Sequence, residues 1–256
     1  MHQLYLLASR PADLAALALF LVVWVAYEPI LRALARGQHL INADMVAVRR
    51  GWMAQMVQRP TFRLLDSQLV AHTLNTASFF ASSNLILIAA AAGALFGGEG
   101  AYRKLATAPL LVHEPPQLFS LKLALVAVCL ARGLLAFIWA IRQLNYAVAV
   151  IGAAPLEGPP HLFKEYAAAA SAVLNPALHA FNSGVRGYYF ALSATAWLAG
   201  PAPFALTTAG AVGLLAWRQT FSPAAKAVRR VRLLLERPDW NTGETAEPLP
   251  PHDMEI

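Results

Sequence analysis

The chain is short of charge. Only 13% of its 256 residues are Asp, Glu, Lys or Arg, about half the share usual in soluble domains. That excludes an ordinary soluble domain, and a hydrophobic share of 58% points to lipid as the solvent. Cysteine is nearly absent. The single Cys129 rules out an intrachain disulfide and a thiolate metal cluster, and its apolar neighbours mark it as a small core hydrophobe. Acidic residues are missing from the middle of the apolar runs: Asp13, Glu28 and Asp66 stand near their boundaries. Carboxylate proton relays and two-carboxylate hydrolysis therefore lack their parts. No H-E-x-x-H, G-x-S-x-G or phosphate-loop pattern occurs. The seven histidines never pair at ligand spacing on one helix. No catalytic residue and no cofactor is expected.

What the chain does have is a series of apolar runs near the ~20 residues that cross ~30 Å of hydrocarbon. The expectation is an all-α integral membrane protein: a bundle of about five transmembrane helices, with amphipathic surface helices on the cytoplasmic side. The spans are read at about 13–31, 66–97, 117–151, 175–199 and 204–217, the last short enough to be a re-entrant hairpin. Basic residues rather than a small-residue cleavage site follow the first run, so it reads as an uncleaved span. Residues 1–237 form the helical domain, and 238–256 an acidic, proline-rich tail expected to be disordered. The net charge of +6 gathers in loops, which fits membrane orientation and argues against a nucleic-acid partner. With the N-terminus outside and the C-terminus cytoplasmic, fifteen of the twenty Lys and Arg residues fall on the cytoplasmic side. Lys122 is among the few left outside, and Glu114 is read as facing Arg103 and Lys104 in the connection before the third span.

Local signals refine this outline. Met45, Val48, Trp52 and Met56 recur at helical spacing behind Asn42, a plausible cap. They suggest a helix on the membrane surface with its arginines toward lipid headgroups, or else a solvated helix packed on the bundle. Asn175 and Pro176 read as the start of the fourth span, after a modest helix over 161–174. Ser222 and Pro223 start a last helix. Its apolar face is Ala224, Val228, Val231 and Leu235, and Lys226, Arg229, Arg230 and Arg232 cover the rest. The expected partners are the bilayer, anionic headgroups at these basic helices, and a second copy of the chain. Two small-residue ridges, Ala89/Gly93/Gly97 and Ala205/Ala209/Gly213, suit either dimerisation or internal packing.

The candidate site lies along the second span. At about 100° per residue, Gln68, His72, Asn75 and Ser82 share one face with Phe79, followed by Ser83 and Asn84. Polar side chains in a membrane helix face protein or water, so this face is expected to be the inner wall. A second polar face carries Asn175, His179, Asn182, Arg186, Tyr189 and Ser193. On the third span Arg132, Trp139, Gln143 and Tyr146 align. A central arginine costs ~2.5–3.5 kcal/mol on insertion scales and must find partners. By depth, Ser82, Ser83 or Asn84 suit Arg132; His72 or Asn75 suit Arg186, or Asp66 if the helix sits deeper. His72 and His179 could converge as a haem or metal pair, or simply be hydrogen-bonded near the interface.

Two stretches carry a resemblance. NTASFFASSNLILI (Asn75 to Ile88), followed by FNSGVRGYYFALSATAWLAGP (Phe181 to Pro201), resembles the domain of unknown function 599 family. The resemblance covers most of the chain up to about Arg237. It implies a multi-pass membrane protein, of a kind found in bacteria and plants, with no established activity and no catalytic roles to carry over. It directs attention to Phe79, Phe80, Ser82, Asn182, Arg186, Tyr188 and Tyr189. The bacterial inner membrane is the expected location. Two functions are expected to compete: passage of a small, anionic solute through a polar interior, and a non-catalytic scaffold holding partners or lipid. A membrane enzyme or redox protein is the weaker third reading.

Overall fold

The computed structural model describes residues 10–35, 39–98, 100, 102 and 114–237. Among them every regular element is helical: α1 (Pro11–Val25), α2 (Tyr27–Leu34), α3 (Ile41–Gln58), α4 (Arg63–Phe96), α5 (Pro116–Gly152), α6 (Pro160–Ala196), α7 (Pro201–Thr220) and α8 (Pro223–Leu235). Two helical stretches, Pro60–Phe96 and Pro116–Gly152, are long and apolar enough to cross a membrane. A third span exists if α1 and α2 count as one broken helix. The tail beyond Arg237, and the Glu99, Arg103 and Lys104 read as partners of the loop charges, lie outside the described residues.

One span is broken, and two local readings need correction. The first span is not straight: α1 and α2 meet at Ala26 at an angle of 81°. The cause is legible in Pro29. Its missing N–H cannot bond the Val25 carbonyl, and its ring crowds that carbonyl. The turns on either side close instead through Ala26 N to Val22 O at 2.8 Å and Ile30 N to Ala26 O at 3.0 Å. Asn175 and Pro176, by contrast, do not start a helix; α6 runs through them unbroken. Asn42 is no cap, since α3 begins at Ile41 behind Leu40.

The chain forms two compact units. Unit one comprises residues 1–30, 76–139 and 180–213; unit two comprises 31–75, 140–179 and 214–256. Unit one is held by aromatic rings. Phe80 stacks on Phe137 at 5.7 Å between centroids, and Phe181 and Tyr188 pack around both. The Tyr188 hydroxyl donates to the Phe80 carbonyl at 2.7 Å. Beside this block α5 and α6 nearly touch at Gly133, Gly184 and Gly187. A Cβ on Gly187 would lie 3.0 Å from the Gly133 Cα, and one on Gly184 would lie 2.6 Å from the Phe137 ring. The intimate crossing therefore belongs to these three glycines. The two ridges singled out in the sequence do not hold neighbours this way: Ala89, Ala209, Gly93 and Gly213 are exposed, and a Cβ on either glycine would meet nothing within 4 Å.

Unit two is held by polar ties. α3 and α8 pack on each other, with Leu235 over Gly51. The Arg63 guanidinium donates to the carbonyls of Ala154 and Pro155. The Tyr166 hydroxyl donates to the Val150 carbonyl at 2.8 Å. Asp66, 1% exposed, accepts from Trp52 Nε1 at 2.7 Å and from Arg59 at 3.1 Å.

Candidate functional site

The expected inner wall faces outward. On α4, Gln68, His72, Asn75, Phe79 and Ser82 are exposed, whereas Asp66, Val70, Ala77, Ala81, Asn84 and Ala91 are buried. The alanines explain the choice, because they let neighbouring backbones approach closely. Of the polar residues expected on the inner wall of α4, Asn84 alone is drawn fully inside; its Nδ2 donates to the Leu130 carbonyl at 3.0 Å, and its Oδ1 is buried without a hydrogen-bond partner among the described residues. Ser83 spends its hydroxyl on its own helix, at the Phe79 carbonyl 2.9 Å away. His179 is exposed, while Asn182 and Tyr189 are half-buried. Gln143 is half-buried with a shielded Oε1. Among the described residues no group of three or more His, Cys, Asp and Glu gathers as a metal site.

The two arginines lie over aromatic rings, which were not among the partners expected for them. The Arg186 guanidinium lies 4.9 Å over the Tyr27 ring, and that of Arg132 lies 5.6 Å over the Trp24 ring. Arg186 is half-buried and Arg132 exposed; such stacking suits a planar, weakly hydrated cation and is worth ~0.5–1 kcal/mol at an exposed site and ~2 kcal/mol when desolvated. Trp24 and Tyr27 flank the break at Ala26, and the two arginines stand next to Gly133 and Gly187, where α5 and α6 cross. They are close enough to repel, and Glu28 offsets part of the charge. The Tyr27 hydroxyl is buried there without a hydrogen-bond partner among the described residues. The arrangement has the parts for holding an anion: two cations, a shielded hydroxyl and the unwound backbone of a bent span.

A second cluster escaped the sequence reading altogether. Lys122, counted on the outer side at the start of the third span, lies in α5 and is 0% exposed. Its Nζ pairs with Glu114 Oε2 at 2.6 Å and Asp13 Oδ1 at 3.6 Å, and donates to the Trp197 carbonyl at 2.9 Å. Trp197 Nε1 donates to Asp13 at 2.6 Å, and Arg10 reaches Glu114 at 3.3 Å. Glu114 is thus committed to Lys122 and Arg10. The signal available in the sequence was a lone lysine inside L-K-L-A-L, with carboxylates at two other span boundaries. Two carboxylates and two cations balance, so the cluster reads as a tie rather than as a charged site.

In unit two, the arginines expected at headgroups are partly turned inward. Asp44 is 0% exposed and lies 2.8 Å from Arg232 Nε and 3.8 Å from Arg229 Nε and His39 Nδ1. Arg49 is buried against the Asn175 side chain at 3.0 Å, and burial holds its guanidinium below the usual arginine range.

Two shallow grooves lie in unit one. One of about 340 Å³ is lined by Ala12, Ala15, Ala16, Leu19, Pro201, Ala202 and Ala205. The other, of about 250 Å³, lies by Tyr102, Pro116 and Phe119. Neither includes a polar residue of the expected path.

No curated protein and no solved structure matches this chain. One family model does, over residues 15–224, which takes in both stretches that carried the resemblance, the helix break and both arginines. The chain belongs to the family described as "Protein of unknown function, DUF599".

Proposed function

We propose that this is a membrane protein that takes up a small anion at the α1–α2 break and passes it across the bilayer. The observation that supports this reading is the pair of guanidinium groups of Arg132 and Arg186, stacked on Trp24 and Tyr27 at a broken apolar helix. Broken spans are where many transporters bind ions, because unwound backbone supplies dipoles to the site. The proposed setting is a bundle of about five spans in a bacterial inner membrane, N-terminus outside. It follows from the apolar runs and from the bias of Lys and Arg.

The test is anion flux into proteoliposomes of the intact protein, with chloride, nitrate and phosphate as probes. Flux above empty vesicles, lowered at least tenfold in Arg132→Gln and Arg186→Gln, is the expected result. Flux equal to empty vesicles for all three probes overturns the proposal.

A second reading, a non-catalytic scaffold, has its own support. The rings of Phe80, Phe137, Phe181 and Tyr188 fill unit one, and α4 turns Phe79, Ser82, Ala89 and Gly93 outward. Such a face suits contact with another membrane helix.

A further inference from the structure

The end of α7, the link after it and the outer side of α8 carry exposed apolar side chains. Trp217, Phe221, Ala224, Ala227 and Val231 follow one another at intervals of four, three, three and four, and all are exposed. Trp217, Phe221 and Val231 show 51%, 46% and 43% of their surfaces. Only Phe221 and Ser222 separate the two helices, and the Ser222 hydroxyl caps α8 by accepting from Ala225 N at 3.2 Å.

The inward side of α8 is mixed: Leu235 lies over Gly51, and two arginines sit there as well. Ala225 is buried, and Arg229 and Arg232 turn toward Asp44. Of the apolar face read in the sequence, Ala224 and Val231 are exposed, whereas Val228 and Leu235 are half-buried. Arg218 and Lys226 are exposed beside the stripe, and Arg230 is half-buried next to it. From Leu214 to Arg237 there are six cationic residues against the single Glu236. An apolar strip bordered by cations matches one environment: the boundary between anionic headgroups and acyl chains.

We propose that the Trp217–Val231 face beds into an anionic phospholipid leaflet. The apolar side chains reach the acyl boundary, and Arg218, Lys226 and Arg230 meet the phosphates. The proposal rests on the reading that the chain is membrane-embedded, but not on anion passage.

The experiment uses the intact protein carrying Cys129→Ala, with single cysteines replacing Ala224, Ala227 or Ala89 in turn. Each is labelled with an environment-sensitive fluorophore. The proteins are placed in nanodiscs of phosphatidylcholine alone or mixed with phosphatidylglycerol, with a nitroxide lipid as quencher. Labels at 224 and 227 are expected to be quenched at headgroup depth. Phosphatidylglycerol is expected to be enriched around the protein, and the enrichment to fall on the order of fivefold for each cation removed in Arg218→Gln, Lys226→Gln and Arg230→Gln. Quenching at 89 without quenching at 224 and 227 overturns the proposal while embedding stands. Quenching at none of the three removes the membrane reading itself, and the proposal with it. Quenching at 224 and 227 with no preference for phosphatidylglycerol overturns the anionic partner.

Discussion

The two units solve the same problem, a carboxylate taken out of water, by different means. In unit one, Asp13 and Glu114 meet a lysine with no exposure at all, under the indole of Trp197 5.3 Å away. In unit two, Asp44 meets Arg229 and Arg232, whose side chains remain 28% and 16% exposed. A fully desolvated cation cannot be left without its partners, whereas an arginine at the edge of water can rehydrate. Burial of the cation, more than the ion-pair distance, should therefore rank the two clusters.

The largest effect is expected at Lys122. Lys122→Met leaves Asp13 buried without a counter-charge and Glu114 with Arg10 alone, and should cost ~3–5 kcal/mol, read as a lowered midpoint of thermal unfolding in detergent. Adding Asp13→Asn and Glu114→Gln in the same chain should recover most of the loss, because the charge problem is then removed rather than exposed. If the triple variant is as unstable as the single one, the cluster is not an ion tie.

Next comes the glycine crossing, also in unit one. Gly187→Val drives a branched side chain against the Gly133 backbone, which has no side chain to move aside. Overpacking of this kind costs ~1–3 kcal/mol. Gly93→Val on α4, where a Cβ meets nothing within 4 Å, should leave the monomer's midpoint unchanged. A loss at Gly93 equal to that at Gly187 would mean that another copy or helix packs on the outer ridge.

Most of the helix pattern was legible because apolar length and proline punctuation are local properties. α4, α5 and α8 fall within a few residues of their expected limits. What could not be read was direction. A face of Gln68, His72, Asn75 and Ser82 looks like an interior to a rule that forbids polar groups in lipid. The chain instead packs α4 through Ala77, Ala81 and Asn84, because close approach is decided by side-chain size. Likewise Arg132 and Arg186 were visible as costly residues, but their partners were not. Trp24 and Tyr27 flank the break at Ala26, and their pairing with arginines on α5 and α6 is a long-range contact that spacing along one helix does not carry. Lys122 was missed because a charge near a span boundary is indistinguishable from a loop charge until the fold closes over it.

In unit two the effects should be smaller, in order of how far each group can reach water. Asp44→Asn removes the carboxylate that both Arg229 and Arg232 address. The loss should be ~2 kcal/mol, less than at Lys122 because both arginines retain solvent. Amide exchange should show it as faster opening of α3 and α8 while the ring block of unit one stays protected. Equal loss of protection in both units would make the chain one cooperative body and would undo the contrast drawn between them.

The smallest effect sharpens the comparison most. Trp52→Phe keeps the ring but deletes the Nε1 donor that Asp66 receives at 2.7 Å. Arg59 still reaches the same oxygen at 3.1 Å from a side chain 44% exposed. A hydrogen bond to a charged group is worth ~1.5–3 kcal/mol, and the remaining guanidinium should hold the loss near the low end. Removing Arg59 as well, as Arg59→Gln in the Trp52→Phe background, strips Asp66 of both partners. The double variant should then lose more than the sum of the single changes, because only then is the carboxylate buried with neither donor. Strict additivity would mean that water already reaches Asp66, and unit two would owe little of its stability to buried charge.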